Sequence, residues 1–146
     1  MTRARLFAGL LIALTAMLLI GCGAAGSSPA EPPPPAETVT PLFTEALPNV
    51  AGKTFTSAVV TFPPAARAVA HRHGDAFVYA YVLEGAVSSQ LEGAPAQVYH
   101  QGRSWSEPPG AHHVATENTS PTDEAKLLVV FVATDGEPLK VDDPQG

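Results

Sequence analysis

Apolar and polar residues alternate with a two-residue period along most of the chain from residue 54 to residue 133. Thr54 to Phe62, TFTSAVVTF, is rich in β-branched and aromatic residues and stops at Pro63-Pro64, where the backbone donors of a sheet ladder are lost. Runs of the same kind follow at Val69 to His73, Phe77 to Leu83, Ala86 to Leu91, Ala96 to His100, Val114 to Thr116 and Lys126 to Ala133. Turn signals separate them: Gly74-Asp75, Glu84-Gly85, Glu92-Gly93-Ala94-Pro95, Gln101-Gly102, Pro108-Pro109-Gly110 and Ser120-Pro121. No segment sustains a capped helical period. Many short strands at regular spacing predict an all-β fold, a sandwich or a small barrel.

The N-terminal part follows a different pattern. Met-Thr-Arg-Ala-Arg is succeeded by an almost unbroken apolar run from Leu6 to Ile20, which reads as a secretory signal rather than a spanning helix. The run ends Leu19-Ile20-Gly21-Cys22, which resembles a bacterial lipobox. That resemblance implies a signal peptide over residues 1–21, and a Cys22 that carries a diacylglycerol as the new N-terminus. Cys22 is the sole cysteine, so no internal disulfide competes for it. In Gram-negative lipoproteins, a residue other than aspartate after the cysteine, here Gly23, favours onward sorting to the outer membrane. The expected location is the bacterial cell envelope, lipid-anchored and extracytoplasmic. Residues 22–40, with Pro32 to Pro35, read as a Pro/Ala/Ser-rich tether that cannot bury a core. Residues 41–140 then form one domain and residues 141–146 a polar C-terminal tail. The net charge of −6 becomes −8 once Arg3 and Arg5 leave with the signal, which argues against nucleic acid as a partner.

Chemistry concentrates in HRHGDAFVYAYVLEG, residues 71 to 85. On a strand, His71 and His73 point to one face, giving two adjacent ligand positions for a metal; a third must come from elsewhere. The stretch from Gly102 to His113, GRSWSEPPGAHH, resembles the second motif of the cupin family, G-x5-P-x-G-x2-H-x3-N, at Gly102, Pro108, Gly110 and His113. The stretch from Ala65 to Gly85 is similar to the first motif, G-x5-H-x-H-x(3,4)-E-x6-G, at His71, His73 and Gly85. The resemblance spans Thr54 to Ala133 and implies a single jelly-roll barrel, the double-stranded β-helix.

The family's metal ligands carry over as His71, His73 and His113, whereas its carboxylate position holds Val78. Ala65 stands where the first motif has glycine, an exchange expected to cost little. Glu117 occupies the asparagine position, with Asn118 one residue late. Val78 shares strand parity with Ala80 and Val82 and reads equally as barrel core, so an altered and a lost metal site both remain open. Gln90 and Glu107 are polar groups able to enter the cup as a fourth ligand or an acceptor behind the histidines, or to lie on a solvated surface. His112, next to His113, should face the other way on a strand.

Three histidines with open positions suit Fe(II), Zn, Mn, Ni or Cu, and similarity to cupin dioxygenases acting on thiols, gentisate or diketones favours Fe(II). Nothing resembles the serine, cysteine or paired-carboxylate arrangements of hydrolases, so the metal is the catalytic candidate. Two functions stay open: a small-molecule metalloenzyme of dioxygenase type, and a non-catalytic binder of a small ligand or metal. The expected partners are a small-molecule ligand or substrate and the membrane through the lipid anchor; a homodimer is left open. As the histidines must be neutral to ligate, the metal is expected to leave as pH falls below the ordinary histidine range.

Overall fold

The computed structural model describes residues 35–144. The signal at 1–21, Cys22 and the tether as far as residue 34 lie outside the described residues. Eleven strands are found among the described residues: β1 Thr38–Ala46, β2 Lys53–Phe62, β3 Arg67–Ala68, β4 His71–Arg72, β5 Phe77–Glu84, β6 Ala86–Leu91, β7 Gln97–His100, β8 Ser104–Glu107, β9 His112–Asn118, β10 Ala125–Thr134 and β11 Val141–Asp142. One sheet has the order β1-β2-β10-β5-β8; the other runs β11-β4-β9-β6-β7, with β3 also paired to β9, and the pairings are antiparallel. The fold is all-β, as the alternation predicts.

The alternation explains the core. Along β10 every second residue is buried, and β5 contributes Val78, Ala80 and Val82 from the same face. With Phe62 of β2 and Val87 of β6 they close the space between the sheets. Val78, Val82, Val87 and Phe62 are each almost wholly inaccessible, and side chains of this size contribute roughly 1.5–3 kcal/mol apiece when buried.

Four strands depart from the sequence pattern, each for a local reason. β1 starts inside the stretch assigned to the tether. All nine of its residues are exposed, and the bulge between Pro41 and Phe43 breaks the alternation that Val39 and Pro41 begin beside the cavity. β8, Ser-Trp-Ser-Glu, is too short and polar to stand out. β9 extends on both sides of Val114–Thr116 through His112, His113, Glu117 and Asn118, polar residues that the ladder pairs with β4, β3 and β6. β11 turns Val141-Asp142 of the supposed tail into a partner of Arg72 and His71. The run from Val69 to His73, expected as one strand, is broken: β3 and β4 both pair with β9, but no pairing spans Val69-Ala70, where Val114 forms a bulge against β6.

Two backbone positions fix corners of the barrel. Gly85 joins β5 to β6 with φ +74°, and a Cβ there would meet the Glu124 carbonyl oxygen at 3.0 Å and Ala125 Cβ at 3.1 Å. Ala65 also lies in the left-handed region, at φ 58°, although it carries a side chain. The alanine that replaces the motif's glycine is therefore strained, and the exchange is not free of cost. Ala65→Gly should raise stability by about 1 kcal/mol, whereas Gly85→Ala should lower it by about 2 kcal/mol or more, since strain and crowding add there. Urea unfolding midpoints of the two variants check both signs.

Candidate metal centre

His71 and His113 are direct partners in the β4–β9 ladder, and their ring centroids lie 5.1 Å apart. His71 and His73 straddle the exposed Arg72, with rings 4.8 Å apart. His73 lies just past β4, where a hydrogen bond from the Gly110 amide to the Gly74 carbonyl (2.8 Å) ties its turn to the loop before β9. One ligand atom from each of the three histidines falls within 4.8 Å of the others, and all three side chains are largely shielded from solvent.

The far side of each ring is held. His71 Nδ1 donates to the Val69 carbonyl at 2.6 Å and His73 Nδ1 to the Leu139 carbonyl. A carbonyl only accepts, so both rings carry their proton on Nδ1 and turn the Nε2 lone pair inward. His113 Nε2 meets two hydroxyls, Ser89 at 2.8 Å and Thr116 at 2.7 Å, which are themselves ladder partners. Its Nδ1 is left facing Glu107. Imidazoles oriented from behind in this way are the donor set a divalent metal needs.

The Val114 bulge makes this possible. A regular strand would put His113 and Glu117 on one face; the additional residue puts Thr116 and Asn118 there instead. Asn118 is buried, and its amide donates to the carbonyls of Phe62, Pro63 and Asp123. Glu117 pairs at the surface with Arg67, at 2.9 Å. The one-residue offset of the asparagine thus matches the bulged residue.

Among the polar residues outside the histidine triad, two part company. Gln90 turns away, donating to the Ala94 carbonyl at 3.0 Å in the β6–β7 turn; its neighbour Ser89 faces the site. Glu107 is only 2 % exposed and sits within the site. Its Oε1 accepts from Trp105 Nε1 at 3.1 Å and lies 3.0 Å from His113 Nδ1 without forming an aligned hydrogen bond; Oε2 lies 3.7 Å from His73 Nε2. Glu107 Oε2 and His113 Nδ1 are buried polar atoms without a hydrogen-bond partner. The shared parity of Trp105 and Glu107 is a sequence signal for this that has meaning only once β8 is known to be a strand. His112 faces the opposite side of β9, with Nε2 2.7 Å from Asp143. Val78 lies in the wall, directly across the β5–β8 ladder from Glu107.

The three histidines and Glu107 line a cavity of about 170 Å³ whose other walls are chiefly apolar, among them Val60, Phe62, Ala80, Leu127, Val129 and Phe131. Lys140, paired with Glu37 at 2.7 Å, also borders it. Burial lowers the His71 imidazole from its ordinary 6.5 to about 4, against the pull of the Val69 carbonyl, and His73 and His113 lower it further. Burial likewise lowers His73. For Glu107, burial alone would raise the carboxyl; contact with His113, the charge of His113 and His73, and the Trp105 hydrogen bond together bring it below its ordinary value.

A two-sheet β barrel with a histidine triad opening on an apolar cavity defines the class. The cupin domain family matches residues 58–131, about half of the chain, and the chain belongs to that family. Solved structures agree on the fold. The Cnp3 cupin domain of Schizosaccharomyces pombe is 17% identical with a TM-score of 0.56, over 68% of this chain and 61% of that one. The DMSP lyase DddQ of Ruegeria pomeroyi DSS-3 is 25% identical with a TM-score of 0.52, over 60% of this chain and 42% of that one. A recombinant oxalate oxidase in complex with glycolate is 23% identical with a TM-score of 0.57, over 73% and 54%. The chain therefore spans about three fifths or less of the length of each. No curated protein sequence matches it.

A pH dependence follows for the metal-free protein. The unfolded chain takes up a proton at His71 near 6.5 and the folded chain only near 4, so stability falls as pH drops between those values. His73 acts in the same direction, while Glu107, whose ordinary value is 4.5, contributes only at lower pH. Chelator-treated protein should unfold at lower urea at pH 5 than at pH 7.5, and His71→Gln should flatten that slope.

Proposed function

We propose that this cupin binds a divalent metal through His71, His73 and His113 and is a small-molecule metalloenzyme of dioxygenase type, held outside the cytoplasm by lipid on Cys22. The observation that carries the metal reading is the triad itself: ligand atoms within 4.8 Å, opening on a cavity of about 170 Å³. Fe(II) is favoured by the likeness to three-histidine dioxygenases, and Zn, Mn, Ni and Cu are also served by imidazole or oxygen donors. When bound, the metal supplies Lewis-acid or redox activation of a small molecule beside it. The protein's own part is separate. The Val69 and Leu139 carbonyls and the Ser89 and Thr116 hydroxyls fix the ring orientations. The apolar walls exclude water from the reacting face and select a compact substrate with apolar surface.

The comparison proteins include an oxalate oxidase and a DMSP lyase, which supports small-molecule chemistry in a barrel of this kind without assigning either substrate here. The alternative, a non-catalytic binder of a small ligand or metal, is favoured by Glu107, whose carboxylate takes up space beside the triad.

Protein purified natively without a chelating tag should contain about one divalent ion per chain by elemental analysis. His113→Ala should empty the site, while His112→Ala should leave the metal content near the parent's; the reverse result would shift the assignment by one residue. For the anchor, the parent should incorporate labelled palmitate and Cys22→Ser should not. Label in the variant, or none in the parent, rejects the lipoprotein reading.

A further inference from the structure

Glu107 is an ionisable group in a place where carboxylates are rarely found unaccompanied. It is almost fully buried, against apolar walls, and one of its two oxygens has no hydrogen-bond donor. That oxygen, Oε2, faces His73 Nε2 at 3.7 Å. Because His73 Nδ1 donates to the Leu139 carbonyl, Nε2 of the neutral ring presents a lone pair. Two acceptors facing each other in a dry site repel and lose their hydration as well. A cation between them removes both costs. The second oxygen is oriented by Trp105 at 3.1 Å, so the carboxylate is aimed rather than loose.

The ladder explains how the carboxylate reaches this place. Position 78 on β5 is where the family resemblance puts a glutamate, and here it is Val78. Glu107 is its cross-strand partner on β8, and both side chains border the same cavity. The step between neighbouring strands is about 4.8 Å, within the span that a glutamate side chain bridges. Substituting valine at 78 and glutamate at 107 therefore moves the carboxylate by one strand while keeping it on the same face.

We infer that Glu107 is the oxygen ligand of the metal site, delivered from β8 in place of the β5 carboxylate, so that the site is three histidines and one carboxylate rather than three histidines alone. This rests on the metal reading above. An anionic oxygen donor moves the preference of the site toward harder ions such as Mn(II) and Fe(II).

The test uses the full-length parent, Glu107→Gln, and the exchange variant carrying both Val78→Glu and Glu107→Val, each titrated with Mn(II) and with Zn(II) after chelator treatment. Glu107→Gln keeps the shape and the Trp105 acceptor but removes the charge. It should weaken Mn(II) binding at least about tenfold, with a smaller effect on Zn(II), and the visible spectrum of the Co(II)-loaded protein should change. The exchange variant should regain most of the lost Mn(II) affinity. A merely structural carboxylate, paired with a protonated His73 or His113, would leave the Mn(II)-to-Zn(II) ratio and the Co(II) spectrum of Glu107→Gln unaltered, and that result overturns the inference. Should the exchange variant fail to fold, the Glu107→Gln ratio and spectrum still decide. A parent that takes up none of these metals overturns the underlying metal reading, and is distinguished from the first failure by the parent's own titration.

Discussion

The constraint on which the site depends is the burial of four ionisable side chains in a barrel whose core is chiefly apolar. Three imidazoles and a carboxylate have been taken out of water, and each must be oriented by something else. The sheets do this mostly with backbone carbonyls and hydroxyls placed by the ladders. Val69 and Leu139 offer carbonyls to His71 and His73, while the Ser89–Thr116 ladder pair grips His113. At His71 and His73 this leaves the Nε2 lone pairs directed inward, the arrangement that metal binding at these rings requires.

That arrangement ties distant parts of the chain to one point. Leu139 lies beyond the last long strand, and the segment after it is held by β11 against β4 and by the Asp143 amide bonding to the Ala70 carbonyl at 2.8 Å. The C-terminal segment, polar and unremarkable in composition, therefore helps to fix the orientation of His73. At the other end, Glu37 pairs with Lys140 beside the cavity, so the residues flanking the barrel on both sides contribute to its rim. Removal of either flank would act on the site without touching a histidine.

Membership of the cupin family settles the architecture and leaves the chemistry to the particular residues. The departures from the motifs are where this chain becomes itself. Ala65, at the motif's glycine position, sits in the left-handed backbone region. Asn118 keeps the same face as His113 because Val114 bulges. Val78 surrenders the carboxylate position, and its ladder partner carries one. In each case strand register or backbone conformation decides what the departing residue does.

The strand period and the turns determined an all-β fold by themselves, because alternation is a property of one strand; His71 and His73 stood out as a pair spanning three residues, and the cupin resemblance of the two motifs added His113 to them and narrowed the fold to one barrel. What only the tertiary structure decided is what lies across a ladder. Glu107 looked like a solvated residue because β8 has too few apolar positions to betray a strand, and Gln90 looked equivalent to it until the turn beyond β6 claimed its amide. β1 was hidden because it is an exposed edge strand whose two-residue period is cut short by the bulge after Pro41. The bulge at Val114 adds a residue to one strand without any mark in composition, and it alone brings Thr116 behind His113. Cross-strand neighbours are chosen by register, and register is fixed by the whole barrel closing on its core rather than by any segment read alone.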